Sequence, residues 1–98
     1  MIFEWTVPAR DDVIRLYNFL AKKNERAAAK VVRSLVDAPT TLLLNPRRGE
    51  IVVDYEPREV RRCIVGSYEM HYELKGDSLI ILRIWHQREE RLWQGFVE

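Results

Sequence analysis

The stretch ILRIWHQREERLW, residues 81–93, breaks abruptly from an apolar run into a histidine surrounded by arginines and glutamates. His86 carries a side chain whose ordinary pKa lies close to neutrality, which suits it to pass a proton. Arg83, Arg88, Arg91 and Trp93 stand within seven positions of it and could hold an anion or stack on a target. Each has a plainer role to weigh against that. His86 would serve equally as a strand-end residue bonded to a neighbour, and Arg88 and Arg91 as solvated partners of Glu89 and Glu90. Arg83, beside aromatic residues, reads best as an arginine held by a carboxylate.

The elements that carry these residues follow from periodicity. Ile2 to Thr6 read as a short strand. A helix then starts near Pro8, with Asp11 and Asp12 in its first turns and Val13, Leu16, Tyr17 and Leu20 at the spacing of one helix face. Asn24 is placed to cap a second helix through AAAKVVRSLVDA, whose stripe is Val31, Val32, Leu35 and Val36, and Pro39 is expected to end or kink it. The turn formers Asn45-Pro46-Arg47-Arg48-Gly49 mark the change to period two. EIVVDY, EVRRCIV, SYEMHYEL and SLIILRIWH then read as strands. The expected fold class is α+β, two antiparallel amino-terminal helices packed on an antiparallel sheet in the order β-α-α-β-β-β-β. The polar tail from Gln87 is expected to turn helical.

Gly66-Ser67 and Gly76-Asp77 have the length of tight hairpin turns, so Val65 should oppose Tyr68 and Lys75 should oppose Ser78. Strict alternation then puts Cys63, Val65, Tyr68, Met70, Tyr72, Leu74, Leu79, Ile81, Arg83 and Trp85 under the helices, with Arg61 among them. Arg62, Glu69, His71, Ile80, Leu82, Ile84 and His86 fall on the opposite face. Ile80, Leu82 and Ile84 in a row there would leave an apolar groove suited to a protein partner or a second copy. Cys63, in mid-strand, reads as a small core residue.

Composition narrows the function classes. Ninety-eight residues suffice for one modest core, so a single domain over residues 1–98 is expected. Apolar and charged fractions of 47% and 32% are ordinary for a folded domain and far from disorder. A net charge of +1 excludes a broadly basic nucleic-acid binder and leaves only local clusters. One cysteine and no Cys/His zinc spacing imply neither a disulfide nor a metal, and no cofactor is expected. The amino terminus has neither the apolar length of a membrane span nor the form of a signal peptide, so a cytoplasmic protein with no membrane partner is expected.

NPRRG, then REVRRCIVGSYEMHYEL, then GDSLIILRIWHQREER, in this order and spacing, resemble the RelE/ParE superfamily of toxins from type II toxin–antitoxin modules. The resemblance covers nearly the whole chain, although neither NPxxG nor HxR is specific alone. It implies a toxin held by a cognate antitoxin, a small DNA-binding protein encoded alongside, in a toxin–antitoxin hetero-oligomer. It also implies one of two activities, since one fold hosts both. ParE-like members act on DNA gyrase, with a role in plasmid stabilisation; RelE-like members are ribosome-dependent mRNA endoribonucleases. A decayed toxin that only binds its antitoxin and helps it repress their operon is a third reading.

Such a nuclease needs a base for the ribose 2′-OH, an acid for the leaving oxygen and cations for the developing phosphate charge. By resemblance the catalytic set would be His86, Arg88 and Arg62. The fourth-strand arginine of the RelE-like pattern falls on Glu69, of the wrong sign, and the terminal tyrosine falls near Gln94 or Trp93. The ParE-like branch is therefore favoured. The surface expected to bind target or partner comprises Arg62, Glu69, His71, Leu82, Ile84, His86, Arg88, Arg91 and Trp93.

Overall fold

A computed structural model describes residues 1–89. Strand β1 (Ile2–Trp5) leads into helices α1 (Val7–Ala21) and α2 (Glu25–Leu44), and a two-residue strand β2 (Glu50–Ile51) precedes a 3-10 turn at Val53–Tyr55. Strands β3 (Val60–Val65), β4 (Tyr68–Lys75) and β5 (Ser78–His86) complete the sheet, whose order is β1-β5-β4-β3-β2. All neighbours are antiparallel except β1, which runs parallel to β5. The expected α+β class and element order are therefore present. A short further 3-10 turn occupies 87–89, and the rest of the expected helical tail lies outside the described residues. No helix among the described residues is long and apolar enough to cross a membrane.

Local chemistry accounts for the element ends. Thr6 caps α1 by accepting from the Ala9 N–H at 3.1 Å, and its hydroxyl donates to the Leu82 carbonyl at 3.0 Å, so one side chain joins helix start to strand. Asn24 caps α2 through the Ala27 N–H at 3.0 Å. Of the two expectations for Pro39, the ending is overturned: α2 runs through it to Leu44. Its ring is fully buried, and packing there offsets the one backbone hydrogen bond that proline cannot make. EIVVDY is likewise not one strand, because the chain leaves β2 after Ile51 and turns over the sheet. Both hairpins have the expected register, with Val65 opposite Tyr68 and Lys75 opposite Ser78. Gly66 and Gly76 take φ of 61° and 58° as first central residues, the position where such turns require a positive φ.

The core lies between the helical hairpin and one sheet face: Ala9, Leu16, Leu35 and Leu42 from the helices against Met70, Tyr72, Leu79, Ile81 and Ile84. The NPRRG loop closes one end of it. The Tyr72 hydroxyl, reaching out of the core, donates to the Pro46 carbonyl at 2.7 Å and accepts from the Gly49 N–H at 3.2 Å. Arg61 on the same face donates to the Gly49 carbonyl at 2.7 Å and to Glu59 at 2.9 Å, and Glu59 is also gripped by Arg47. A Cβ on Gly49 would collide with the Arg62 carbonyl and stand 2.8 Å from the Tyr72 hydroxyl. Backbone cannot yield cheaply there, so Gly49→Ala should destabilise the fold by about 2 kcal/mol, seen as a lowered urea midpoint with unchanged slope.

Alternation fails at one place, and that failure decides which residues face where. His71 opposes Arg83 while Tyr72 opposes Ile81, leaving Leu82 as an extra residue in β5. β1 stops at Trp5, its last ladder bond running from the Thr6 N–H to the Ile81 carbonyl at 3.1 Å. Beyond it α1 satisfies the bare edge of β5 with side chains. The Asp12 carboxylate accepts from the Ile84 N–H at 2.8 Å and takes a two-pronged ion pair from Arg83 at 2.9 and 3.0 Å. Asp12→Ala should cost about 3 kcal/mol, because a buried N–H and a part-buried ion pair lose their acceptor together. Asp12→Asn, which keeps an acceptor oxygen, should cost less; the two denaturation midpoints separate the charge from the hydrogen bond.

Candidate functional site

The bulge corrects the predicted faces carboxy-terminal to Leu82. Ile84 opposes Met70 and is fully buried under the helices, so it cannot line a groove. His86 opposes Tyr68 and also lies on the helix side, while Arg83 and Trp85, expected there, belong to the open face opposite His71 and Glu69. The expected apolar row is thus broken: Ile80 and Leu82 are half-buried, and an aromatic ring follows instead of Ile84. Arg61 and Arg62 do divide between the faces, Arg62 opposing His71 and Arg61 opposing Tyr72.

The open face is built around a buried pair. Glu69 and His71, two residues apart on β4, are 6% and 7% exposed, and His71 Nε2 lies 2.8 Å from the Glu69 carboxylate. His71 is enclosed by two rings that meet it edge-on, Tyr55 at 5.9 Å and Trp85 at 4.5 Å between centroids. Tyr55 comes from the 3-10 turn, so the chain that failed to continue β2 becomes the cover of this pair. Arg62 approaches Glu69 at 3.8 Å and Glu50 at 3.7 Å, ion-pair separations longer than a hydrogen bond. Nearby, Arg58 grips Glu73 with two bonds of 2.9 and 3.1 Å and lies 5.6 Å from the Tyr55 ring centre.

Protonation follows from these surroundings. Burial pushes the His71 pKa below its usual value, outweighing the hydrogen bond to Glu69 that favours the charged form. A neutral ring facing a carboxylate carries its proton on Nε2, which leaves Nδ1 as a buried acceptor with no partner among the described residues. The Arg58 guanidinium hydrogen-bonded to Glu73 holds that carboxyl below the ordinary range. Burial raises the Tyr55 hydroxyl and the Cys63 thiol, which keeps Cys63 a poor nucleophile.

His86 sits elsewhere. Its Nδ1 accepts from the Arg88 N–H at 3.0 Å, its own N–H donates to Glu89 at 2.8 Å, and its ring meets Tyr68 edge-on at 5.1 Å. Glu89 is in turn held by Arg15 of α1 at 2.6 Å. With Val31, Ser34 and Tyr68, His86 lines a cleft between α2 and the β3–β4 turn. The three residues expected to form a nuclease site are therefore divided, Arg62 on the open face and His86 on the other, with Arg88 exposed beyond the strand end. Arg91 and Trp93 lie outside the described residues. Among the described residues no three His, Cys, Asp or Glu side chains converge as a metal site would require.

Sequence reasoning missed Asp12, Tyr55 and the Arg58–Glu73 pair. Only Asp12 left a clear signal: with Ala9 and Leu16 it falls on the buried stripe of α1, where a carboxylate needs a partner.

Two helices on a mainly antiparallel sheet, with a polar network on the open face and a loop locked by a core tyrosine, define a small two-layer α+β domain. Residues 3–91 match the family described as ParE toxin of type II toxin-antitoxin system, parDE. Toxin RelE1 of Caulobacter vibrioides is 36% identical over 87 residues, covering 88% of this chain and 92% of that protein. A chain from the chromosomal ParDE TA system of P. aeruginosa superposes with a TM-score of 0.72 at 24% identity, covering 88% of this chain and 95% of that one, a likeness of fold. The chain belongs to the ParE toxin family, within the RelE/ParE superfamily, and is a toxin of a toxin–antitoxin module.

The buried histidine makes stability depend on pH. With the His71 pKa lower in the folded than in the unfolded chain, the unfolded state binds more protons between the two values. The contribution of His71 to stability should be level above about 6.5 and fall as pH drops below it, until the folded value is passed. A His71→Gln variant should lose that slope. A His71 ring titration followed by NMR should have its midpoint below the ordinary histidine range.

Proposed function

We propose that this toxin acts in the ParE-like manner, as an inhibitor of DNA gyrase that serves plasmid stabilisation or a stress response and is neutralised by a cognate antitoxin. The observation that carries the reading is the carboxylate at position 69. Where an RNA-cleaving member would present an arginine to the scissile phosphate, this chain has Glu69, buried and tied to a neutral His71. A negative group there repels phosphate, and the covering Tyr55 ring restricts access to the histidine. The division of Arg62 and His86 between opposite faces supports the same conclusion, since one transition state needs its base, acid and cations within a few ångströms of one another.

The name of the Caulobacter relative, Toxin RelE1, favours a second reading, a ribosome-dependent mRNA endoribonuclease working through His86, Arg88 and Arg62. Inducing the chain without its antitoxin distinguishes the two. Gyrase inhibition predicts growth arrest with a DNA-damage response, and purified toxin should halt supercoiling by gyrase and trap cleaved DNA. Translated mRNA cut within the reading frame, with gyrase activity intact, would reject that proposal. A chain that binds its antitoxin tightly but leaves growth untouched would reject both.

A further inference from the structure

The described residues carry a second charged surface, remote in kind from the paired network on the sheet. Lys22, Lys23, Arg26, Lys30 and Arg33 are all exposed, on the α1–α2 turn and the first half of α2. Arg15, Arg47, Arg58, Arg61, Arg62 and Arg83 each hold a carboxylate, whereas among the described residues none of these five has an ion-pair partner. With Glu25 as the only acid between positions 22 and 33, the segment carries +4, while the whole chain carries +1. The local arrangement is unfavourable to the protein itself. Arg26, Lys30 and Arg33 repel one another at spacings of three and four residues, and Arg26 stands at the helix end where the backbone dipole is already positive. An anion would relieve both strains.

We propose that this face of α2 and its preceding turn bind the phosphodiester backbone of duplex nucleic acid without reading its sequence. Arg26 to Arg33 span about 10 Å along the helix, over which a duplex presents several phosphates, at one charge per roughly 1.7 Å of its axis. Ala27 and Ala29 lie exposed among the cations and form a low floor that a sugar-phosphate backbone can approach closely. The segment has no aromatic residue, so it offers no platform on which unpaired bases stack, and that disfavours a single strand. It also lacks the large apolar anchors that hold an acidic protein partner.

The test is fluorescence anisotropy of the purified chain on a labelled random-sequence duplex across a series of salt concentrations. Affinity should fall steeply with salt. Arg26→Ser/Lys30→Ser/Arg33→Ser should flatten the plot of log K against log salt by between about 2 and 3 units, and Lys22→Ser/Lys23→Ser by about 2. Lys75→Ser, in the distant β4–β5 turn, should leave the slope unchanged. Circular dichroism melts of each variant, expected to match the parent, separate lost charge from lost fold. Slopes unaltered in both multiple variants would overturn the proposal. So would patch-dependent binding of polyglutamate or of a single strand that is tighter than binding of the duplex.

Discussion

The carboxylate of Asp12 is the constraint on which the rest of this molecule depends. A sheet edge in which a short strand stops midway leaves backbone groups that must be satisfied. Here the acceptor for the Ile84 N–H comes from a helix, and the same carboxylate holds the Arg83 guanidinium. Because both contacts are made by one side chain 4% exposed, α1 cannot slide along β5 without uncovering a charge. The helix is pinned at its start as well, by the bond from Thr6 to Leu82. These two attachments fall on the extra residue of β5 and on the two residues after it, and hold the bulge in place.

From the bulge follows the division of labour between the two faces. Without it Trp85 would enter the core and Ile84 would emerge, as unbroken alternation requires. With it, Ile84 completes the packing under the helices, and Trp85 becomes a wall of the histidine pocket on the other side. One inserted residue thus replaces Ile84 and His86 on the open face with Arg83 and Trp85, beside the Glu69, His71 and Arg62 that alternation alone puts there. The low polarity around that network keeps His71 neutral, which removes a cation from the face where an RNA-cleaving relative would want one.

Most of the scaffold was legible in the sequence because it rests on local rules. Asn24 as a cap, the positive φ at Gly66 and Gly76, and the apolar stripe of α1 are each decided within a few residues, whereas α2 buries Ala28, Leu35, Pro39 and Leu42 and leaves Val36 of its expected stripe exposed. The register of both hairpins followed from their turn lengths. What escaped was non-local. Pro39 breaks a helix in isolation, but its ring is buried in this core; Val53–Tyr55 has strand-forming residues, yet the chain there covers the sheet instead of extending it. The bulge is invisible to any count of alternating residues, since its cause is a helix attached seventy positions earlier. That is why the assignments of Ile84, Trp85 and His86 failed together while Arg62, Glu69 and His71, on strands paired through a simple turn, were placed on the correct face.

The arginine content can be read in the same terms. Arginines at 15, 47, 58, 61, 62 and 83 each meet a carboxylate, and several do so with two prongs, a use of the guanidinium fork that joins helix to strand, loop to strand and strand to strand. In a chain this small such pairs specify which segments meet, even where their exposure makes each one weak as a source of stability. Net charge near zero therefore conceals two different populations. One is neutralised internally and fixes the architecture; the other, densest along the α1–α2 turn and the first half of α2, is left to solvent, where an approaching partner can feel it. A toxin built this way separates the surface that holds its shape from the surface that meets charge, so altering one need not disturb the other.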